Sequence, residues 1–488
     1  MGDERTAAIG RLIVSQKPLL PRAAPSTQQV DATAVMALLE RLDQQAIECH
    51  SLMVVRHGHV VAEGWWTPYS SDRPHLLYSL TKSFTGVAVG LAVDDGRLSL
   101  DDRVVDVLAD QVPDPVAEPV RQLTVHHLLS MSTGHRDDLL DDAWTLEPDD
   151  LVRGFLSIPP PDPVGSRHAY NNPTSFVLAR LVERVTDRTL PDLLDERLFG
   201  PMGVADVAWE RLRSGATFGF HGLHLTTEAV AAFGVLLLQG GRWRARQLVS
   251  PAWLDLATRP QVETAQVEDG SRQPDWLQGY GYHFWMSRHG YRGDGAFGQF
   301  CIVVPERDLV LAVTAATTEM QKLLDAVWDH LLPGLDQPGN DAADRALANR
   351  LRHLALPMPT GEHRAGVRAD GRVAATASTA LPAETPLTVV PDAGGWSVQI
   401  DADGAKLEIA VGHGKWRESA PLGRPVVAAG GWRDGTYVAD LFVITSPSRV
   451  RITLDGDRAT TTWNQAPLVG PALLPQLRSP LITRPDRS

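Results

Sequence analysis

A serine and a lysine three residues apart, Ser79 and Lys82, stand where a polar, proline-containing segment (Ser70-Ser71-Asp72-Arg73-Pro74) gives way to an apolar run over residues 87–93. The run predicts a buried helix that stops near Asp94-Asp95-Gly96, with Ser79 in its first turn and Lys82 on the same face. A serine hydroxyl is a poor nucleophile at neutral pH. A base must take its proton, and a donor must stabilise the charge that develops. The unpaired N–H groups and positive dipole end of a helix N-terminus meet the second need. A lysine amine desolvated beside the hydroxyl meets the first, because burial favours its neutral form. Alone, the tetrad also describes a helix-capping serine with a solvated lysine, so the surrounding elements decide.

Two further stretches carry usable groups. Tyr170-Asn171-Asn172-Pro173 opens a helical pattern at Phe176, Leu178, Leu181 and Val182. Gly293-Asp294-Gly295-Ala296-Phe297-Gly298-Gln299 reads as a glycine-rich turn between strand-like runs at 280–285 and 300–304. Residues 309–313 give one more strand and 320–332 a helix. Upstream, 31–45 has helical spacing, and 52–55 with 60–65 reads as a hairpin turning at His57-Gly58. Thr124 caps a helix that Gly134 ends, and its adjacent histidines, His126 and His127, face apart, a poor arrangement for one metal. The acidic stretch with Asp137, Asp138, Asp141 and Asp142 reads as a solvated loop over a cleft rather than a cation site. Cys49 and Cys301 read as two small buried hydrophobes. Neither a metal nor a cofactor is expected.

At 488 residues the chain exceeds one ordinary domain, and 43% hydrophobic with 22% charged residues is the balance of a globular protein with a large core. The net charge of −13 argues against a nucleic-acid or anionic-membrane partner. Neither an apolar signal core nor a membrane-length stretch stands in the sequence, so a cytoplasmic location is expected. Pro333-Gly334-Leu335-Asp336-Gln337-Pro338-Gly339 is the strongest linker signal. It divides a first domain, 1–335 with 1–30 as a surface arm, from a second at 340–488. After a helix over 341–354 the period changes to two: Trp396, Val398 and Ile400 alternate with Ser397, Gln399 and Asp401. A turn at Asp403-Gly404 leads to Leu407, Ile409 and Val411, and strands follow near 437–441 and 450–454. That pattern predicts an antiparallel β barrel or sandwich.

Taken together, Ser79-x-x-Lys82, Tyr170-x-Asn172 and the glycine-rich turn resemble the penicillin-recognising serine hydrolases: class C β-lactamases, DD-peptidases and β-lactamase-like esterases and amidases. The resemblance covers about residues 45–335. It implies an α/β fold, a sandwich of an antiparallel sheet flanked by helices, with an all-α subdomain and the serine between them. It implies Ser79 as nucleophile, Lys82 and Tyr170 sharing the proton work, and Asn172 orienting substrate and lysine. The N–H groups of Ser79 and of Phe297, a strand residue in that family, would form the oxyanion hole. Whether Lys82 or Tyr170 takes the proton stays open, because the two titrate as a pair. The third motif departs from the family: a Lys or His followed by Thr-Gly or Gly-Gly is replaced by Asp294-Gly295-Ala296. An aspartate there repels the carboxylate that the family's cation receives, unless Arg292 turns inward to compensate.

The resemblance therefore implies an ester or amide hydrolase acting on a small-molecule or peptide acyl substrate. An acyl-transferase or peptide-cyclising thioesterase shares the first half-reaction. A β-lactamase or DD-peptidase is disfavoured by Asp294, and a non-catalytic acyl-binding protein by the intact Ser79, Lys82, Tyr170 and Asn172. The resemblance implies a lipocalin-like or other β-barrel build for the C-terminal β domain, which reads equally as a contributor to substrate selection and as a stabilising cap or dimerisation module.

Overall fold

The computed structural model describes residues 18–212, 214–264, 273–364, 366–402 and 404–478. The first seventeen residues of the expected arm, and Asp403 of the expected turn, lie outside these. The centre of the first domain is a six-stranded antiparallel sheet. Its strands are β1 (Cys49–Arg56), β2 (His59–Trp65), β3 (Trp285–Met286), β4 (Tyr291–Gly295), β5 (Gln299–Val304) and β6 (Leu309–Ala315), in the order β2-β1-β6-β5-β4-β3. Strands β1, β5 and β6 are buried along their whole length, because helices cover both faces. Successive side chains point to opposite faces, so Met53 and Val55 enter one core while Leu52 and Val54 enter the other.

Helices α1 (Ala32–Gln44), α6 (Met320–Ala326) and α7 (Asp341–Arg352) supply residues to the second core. On the opposite face lie α2 (Thr81–Asp94) and α5 (Thr227–Leu238). Helix α2 is buried from Thr81 to Ala92, which explains its apolar surface all round. Beyond it sits the helical part, with α3 (Val125–Leu129) and α4 (Asn172–Thr186). Helix α3 is shorter than its sequence pattern. It stops before Ser130, and Thr124 and His127 cap its start through a reciprocal capping box.

Two sequence expectations change here. The 280–285 run contributes only Trp285 to a strand, and the glycine-rich stretch is half strand: Gly293, Asp294 and Gly295 belong to β4, while 296–298 form the hairpin turn into β5. Phe297 is therefore a turn residue with φ +64, and not a strand residue. The two glycines are required by close approach. A Cβ on Gly295 would lie 2.1 Å from the Leu77 carbonyl oxygen, and one on Gly293 2.2 Å from Leu80 Cδ1. Strand β4 thus presses its backbone directly onto the turn that carries Ser79.

The C-terminal part is a closed eight-stranded β barrel. Its strands run antiparallel from Pro386–Asp392 through Gly395–Ala402 to Ala405–Gly412, and from Val426–Arg433 through Thr436–Val443 and Arg449–Asp455 to Arg458–Trp463. Ala369–Val373 joins the two runs, pairing parallel with Arg458–Trp463, and the Gly412–Ala429 parallel pairing closes the ring. Trp396, Val398 and Ile400 fill its core, as their alternation predicts. Helix α7, though it follows the linker, packs on α1 and β2.

Candidate functional site

Ser79 occupies a single helical turn, Tyr78–Leu80, that runs straight into α2. Tyr78 before it adopts φ +47, an uncommon conformation for a bulky residue, which forces the chain round sharply at the serine. Lys82 is 1% exposed. Its Nζ lies 3.1 Å from Ser79 Oγ, 2.7 Å from Asn172 Oδ1 and 3.2 Å from the Phe220 carbonyl oxygen. Burial pushes the Lys82 amine down to about 7, against the opposing pull of Asp138 and Asp294, neither of which it contacts as an ion pair among the described residues.

The geometry of the three contacts matters. Two partners, the Asn172 and Phe220 oxygens, can only accept. A neutral amine satisfies both with its two N–H groups, and its lone pair is then left for the Ser79 hydroxyl. An ammonium instead donates to all three.

Tyr170 lies with its ring 4.7 Å from Lys82 Nζ, and Ser79 is the neighbour that opposes the effect of burial on its phenol. Burial pushes the phenol well above its ordinary range, so it stays protonated at neutral pH. Its ring stacks on Trp285 at 5.9 Å and meets Tyr280 edge-on at 6.4 Å. Tyr280 and Trp285 form a small buried cluster with Met131.

Asn172 begins α4. Its Nδ2 donates to Asp138 Oδ2 at 2.5 Å and its backbone N–H to Asp138 Oδ1 at 2.9 Å. The carboxylate can only accept, so it turns the amide to present its oxygen to Lys82. Asp138, read from sequence as part of a solvated loop, is therefore a neighbour of the site, although exposed.

Arg292 does turn inward. It is fully buried and pairs with Asp294 at 2.9 Å. Its Nη1 donates to Ser287 Oγ at 2.6 Å and to the Asp275 and Met286 carbonyls at 2.9 and 3.1 Å, and the guanidinium lies over Trp276 at 4.4 Å. Burial pushes the Asp294 carboxyl up, and Arg292 pulls it back. The aspartate is thus one half of a neutral pair rather than a free negative charge.

Gly295 abuts the Leu77–Leu80 backbone, as above. The Ala296 carbonyl accepts from Gln299 Nε2 at 3.0 Å and the Phe297 carbonyl from the Thr317 N–H at 3.1 Å, so the turn is braced from outside the site. The Phe297 ring meets Tyr78 edge-on at 5.3 Å, joining the hairpin turn to the serine turn.

Ser79, Lys82, Tyr170 and Asn172 thus form one contact cluster, with Asp294, Gly295, Ala296 and Phe297 along its β4 side. Sequence reasoning missed Asp138, the Phe220 carbonyl and the Tyr280–Trp285 wall. The described residues contain no group of three or more His, Cys, Asp or Glu side chains able to hold a metal, and no helix long and apolar enough to cross a membrane.

A family model described as Beta-lactamase matches residues 35–332. The 6-aminohexanoate-dimer hydrolase of Paenarthrobacter ureafaciens is 24% identical over 63% of this chain and 81% of that protein. Esterase EstB of Burkholderia gladioli is 27% identical over 37% of this chain and 53% of its own. Among solved structures, a candidate 6-aminohexanoate-dimer hydrolase from Bacillus anthracis superposes with a TM-score of 0.51 at 19% identity, covering 60% of this chain and 80% of that one. That likeness is one of fold.

Proposed function

Because this chain belongs to the Beta-lactamase family of serine hydrolases, we propose that it cleaves an ester or amide bond through an acyl-enzyme on Ser79. The observation that carries the reading is the lysine. Lys82 is buried, held by two oxygens that can only accept, and poised near neutrality with its third position on Ser79 Oγ. The neutral amine takes the serine proton as Oγ attacks the acyl carbon. The Tyr170 phenol remains a donor beside Oγ and passes a proton to the leaving group, regaining it from Lys82. The N–H groups of Ser79 and Phe297 receive the developing oxyanion. Water then releases the acyl group by the reverse proton path.

The substrate follows from charge. Where penicillin-recognising relatives present a cation to a carboxylate, this site presents the neutral Arg292–Asp294 pair, with Asp138 nearby. This arrangement favours acyl groups without a carboxylate beside the scissile bond. Relatives named as amide hydrolase and esterase fit that class.

The test is intact-mass spectrometry after incubation with p-nitrophenyl esters, a penicillin and a peptidyl thioester. A mass gain on wild type that Ser79→Ala lacks, largest for a neutral ester, is expected. Nitrophenol release by Ser79→Ala at the wild-type rate would refute the reading.

A further inference from the structure

The barrel sends one fully enclosed cation into the first domain. Arg424 is 2% exposed and lies just before the strand Val426–Arg433. Its Nε donates to Thr445 Oγ1 at 2.7 Å within the barrel, while Nη2 reaches His224 Nε2 at 2.8 Å and Nη1 stands 3.6 Å from Glu210 Oε1. Glu210 holds His221 Nε2 at 2.9 Å with its other oxygen. The tautomer of His224 follows from its neighbours. Its Nδ1 faces the Gly222 carbonyl at 3.1 Å and must donate, so Nε2 is an acceptor and takes its hydrogen bond from Arg424. Burial and the guanidinium agree, pushing His224 down to about 3, and the basic neighbours help hold Glu210 at about 2. The cluster is therefore one cation, one anion and a neutral imidazole at His224, with Glu210 partly open to solvent at the seam.

What this cluster grips is the segment 220–224, and that segment touches the catalytic turn at four points. The Phe220 carbonyl accepts from Lys82. The His221 ring lies 5.1 Å from that of Tyr78, the residue at φ +47 that presents Ser79. The Leu223 carbonyl accepts from the Leu77 N–H at 2.9 Å, and the Leu223 N–H donates to Thr81 Oγ1 at 3.2 Å. On the barrel side, the Thr445 carbonyl accepts from the Leu76 N–H at 2.8 Å.

We infer that Arg424 is a positioning residue for the acyl-transfer chemistry: through Glu210 and His224 it fixes the 220–224 segment, and so places both the Phe220 oxygen on Lys82 and the Tyr78–Ser79 turn. The inference rests on the proposed acyl-enzyme on Ser79. It makes the docked barrel part of the catalytic centre by way of one side chain, without that side chain meeting substrate.

The experiment uses the full chain and four variants: Arg424→Met, Arg424→Lys, Glu210→Gln and, as a seam control, Arg73→Ala, which removes the Arg73–Glu418 ion pair between the same two domains. Each is tested for thermal midpoint, for kcat and KM on a neutral nitrophenyl ester, for the pH at which kcat/KM is half-maximal, and for the rate of labelling by a fluorophosphonate. Arg424→Met should lower kcat at least thirtyfold with KM changed less than threefold. Its half-maximal pH should rise by at least half a unit, because a loosened 220–224 segment admits water to Lys82 and relieves the burial that lowers its pKa. Arg424→Lys should recover at least tenfold of the loss. Glu210→Gln should fall similarly, and doubles that combine it with Arg424→Met or with Arg424→Lys, made in addition to the four, should fall little further. Arg73→Ala should keep the wild-type profile.

If Arg424→Met does not fold, the Arg424→Lys and Glu210→Gln pair carries the test through its non-additivity. A folded Arg424→Met with wild-type kcat overturns the inference. So does an equal loss in Arg73→Ala, or a fall in kcat with no movement of the pH midpoint. Wild type that the phosphonate fails to label at Ser79 sinks the hydrolase reading itself, whereas labelled wild type with unaltered Arg424 variants sinks only this one.

Discussion

Replacing Lys82 by methionine should abolish acylation and leave the fold at least as stable at neutral pH as wild type. The reason is the cost of holding an amine out of water. In an unfolded chain a lysine keeps its proton up to about 10.4, whereas in the folded protein Lys82 gives it up near 7. Between those values the unfolded state binds one more proton than the native state, so wild-type stability rises with pH by about 1.4 kcal/mol per unit. Below the folded value both states are protonated, and the full penalty applies. Across the whole window it reaches on the order of 4–5 kcal/mol.

Methionine removes that penalty but leaves both the Phe220 oxygen and Asn172 Oδ1 without their donor; a buried orphaned acceptor costs about 1–3 kcal/mol, and the half-buried Asn172 oxygen about 1. At pH 7 the net gain for Lys82→Met is then on the order of 0–2 kcal/mol. By pH 9.5 wild type should have recovered about 3 kcal/mol and overtaken the variant. Urea midpoints and slopes for both proteins at pH 6, 7, 8 and 9.5 measure this directly. The same titration should appear as an acid limb near 7 in wild-type kcat/KM, rising with pH. A stability difference independent of pH from 7 to 9.5 would refute the argument, because Lys82 would then carry its proton in the native state.

Tyr170→Phe should slow acylation by about 10²-fold or more, and combining it with Lys82→Ala should add little, because groups in one proton-transfer unit are non-additive; stopped-flow nitrophenol release checks both. Asp138→Asn should lower kcat/KM about tenfold by freeing the Asn172 amide to turn, and should move the acid limb downward, since Asp138 holds Lys82 up. Asp294→Asn should also move that limb downward and should raise kcat/KM for an ester bearing a free carboxylate relative to a neutral one of similar size, because Arg292 is left unbalanced. It should cost on the order of 2 kcal/mol of stability, less than the usual 3–5 for a broken buried pair, because Arg292 keeps its Ser287, Asp275 and Met286 acceptors. Equal change in both esters would reduce Asp294 to a structural residue.

What the sequence made legible was what short-range spacing encodes. Ser79 and Lys82 are joined by one turn of chain, Tyr170 and Asn172 by the entry to one helix, and the barrel by alternation at Trp396, Val398 and Ile400. The missing pieces arrive by chain topology. Asp138 reaches Asn172 across 34 residues, and the Phe220 contact uses a backbone oxygen, which any residue type supplies. The Arg292–Asp294 pair was legible in principle, since residues two apart share a face of a strand. Reading 293–299 as a turn hid the strand that places them side by side, although Arg292 was already the residue expected to compensate Asp294. The glycines that suggested a turn are there because β4 must touch Leu77 and Leu80.

The first and third motifs are linked by the different fates of two buried cations. Lys82 and Arg292 are both removed from water, and burial lowers the pKa of each. Arg292 has a carboxylate at 2.9 Å and starts from a value so high that it remains charged. Lys82 has only neutral oxygens within hydrogen-bond reach, so its proton is held weakly. Asp294 lies close enough to act on both, and its pull on Lys82 is upward. An unpaired aspartate there would favour the ammonium and disarm the base. Pairing with Arg292 keeps most of that field local, so the aspartate can stand here without abolishing the neutral amine beside Ser79. Under the proposed acyl-enzyme reading, the β4 side of the site thereby offers a substrate a neutral pair while leaving the proton chemistry of the first motif intact.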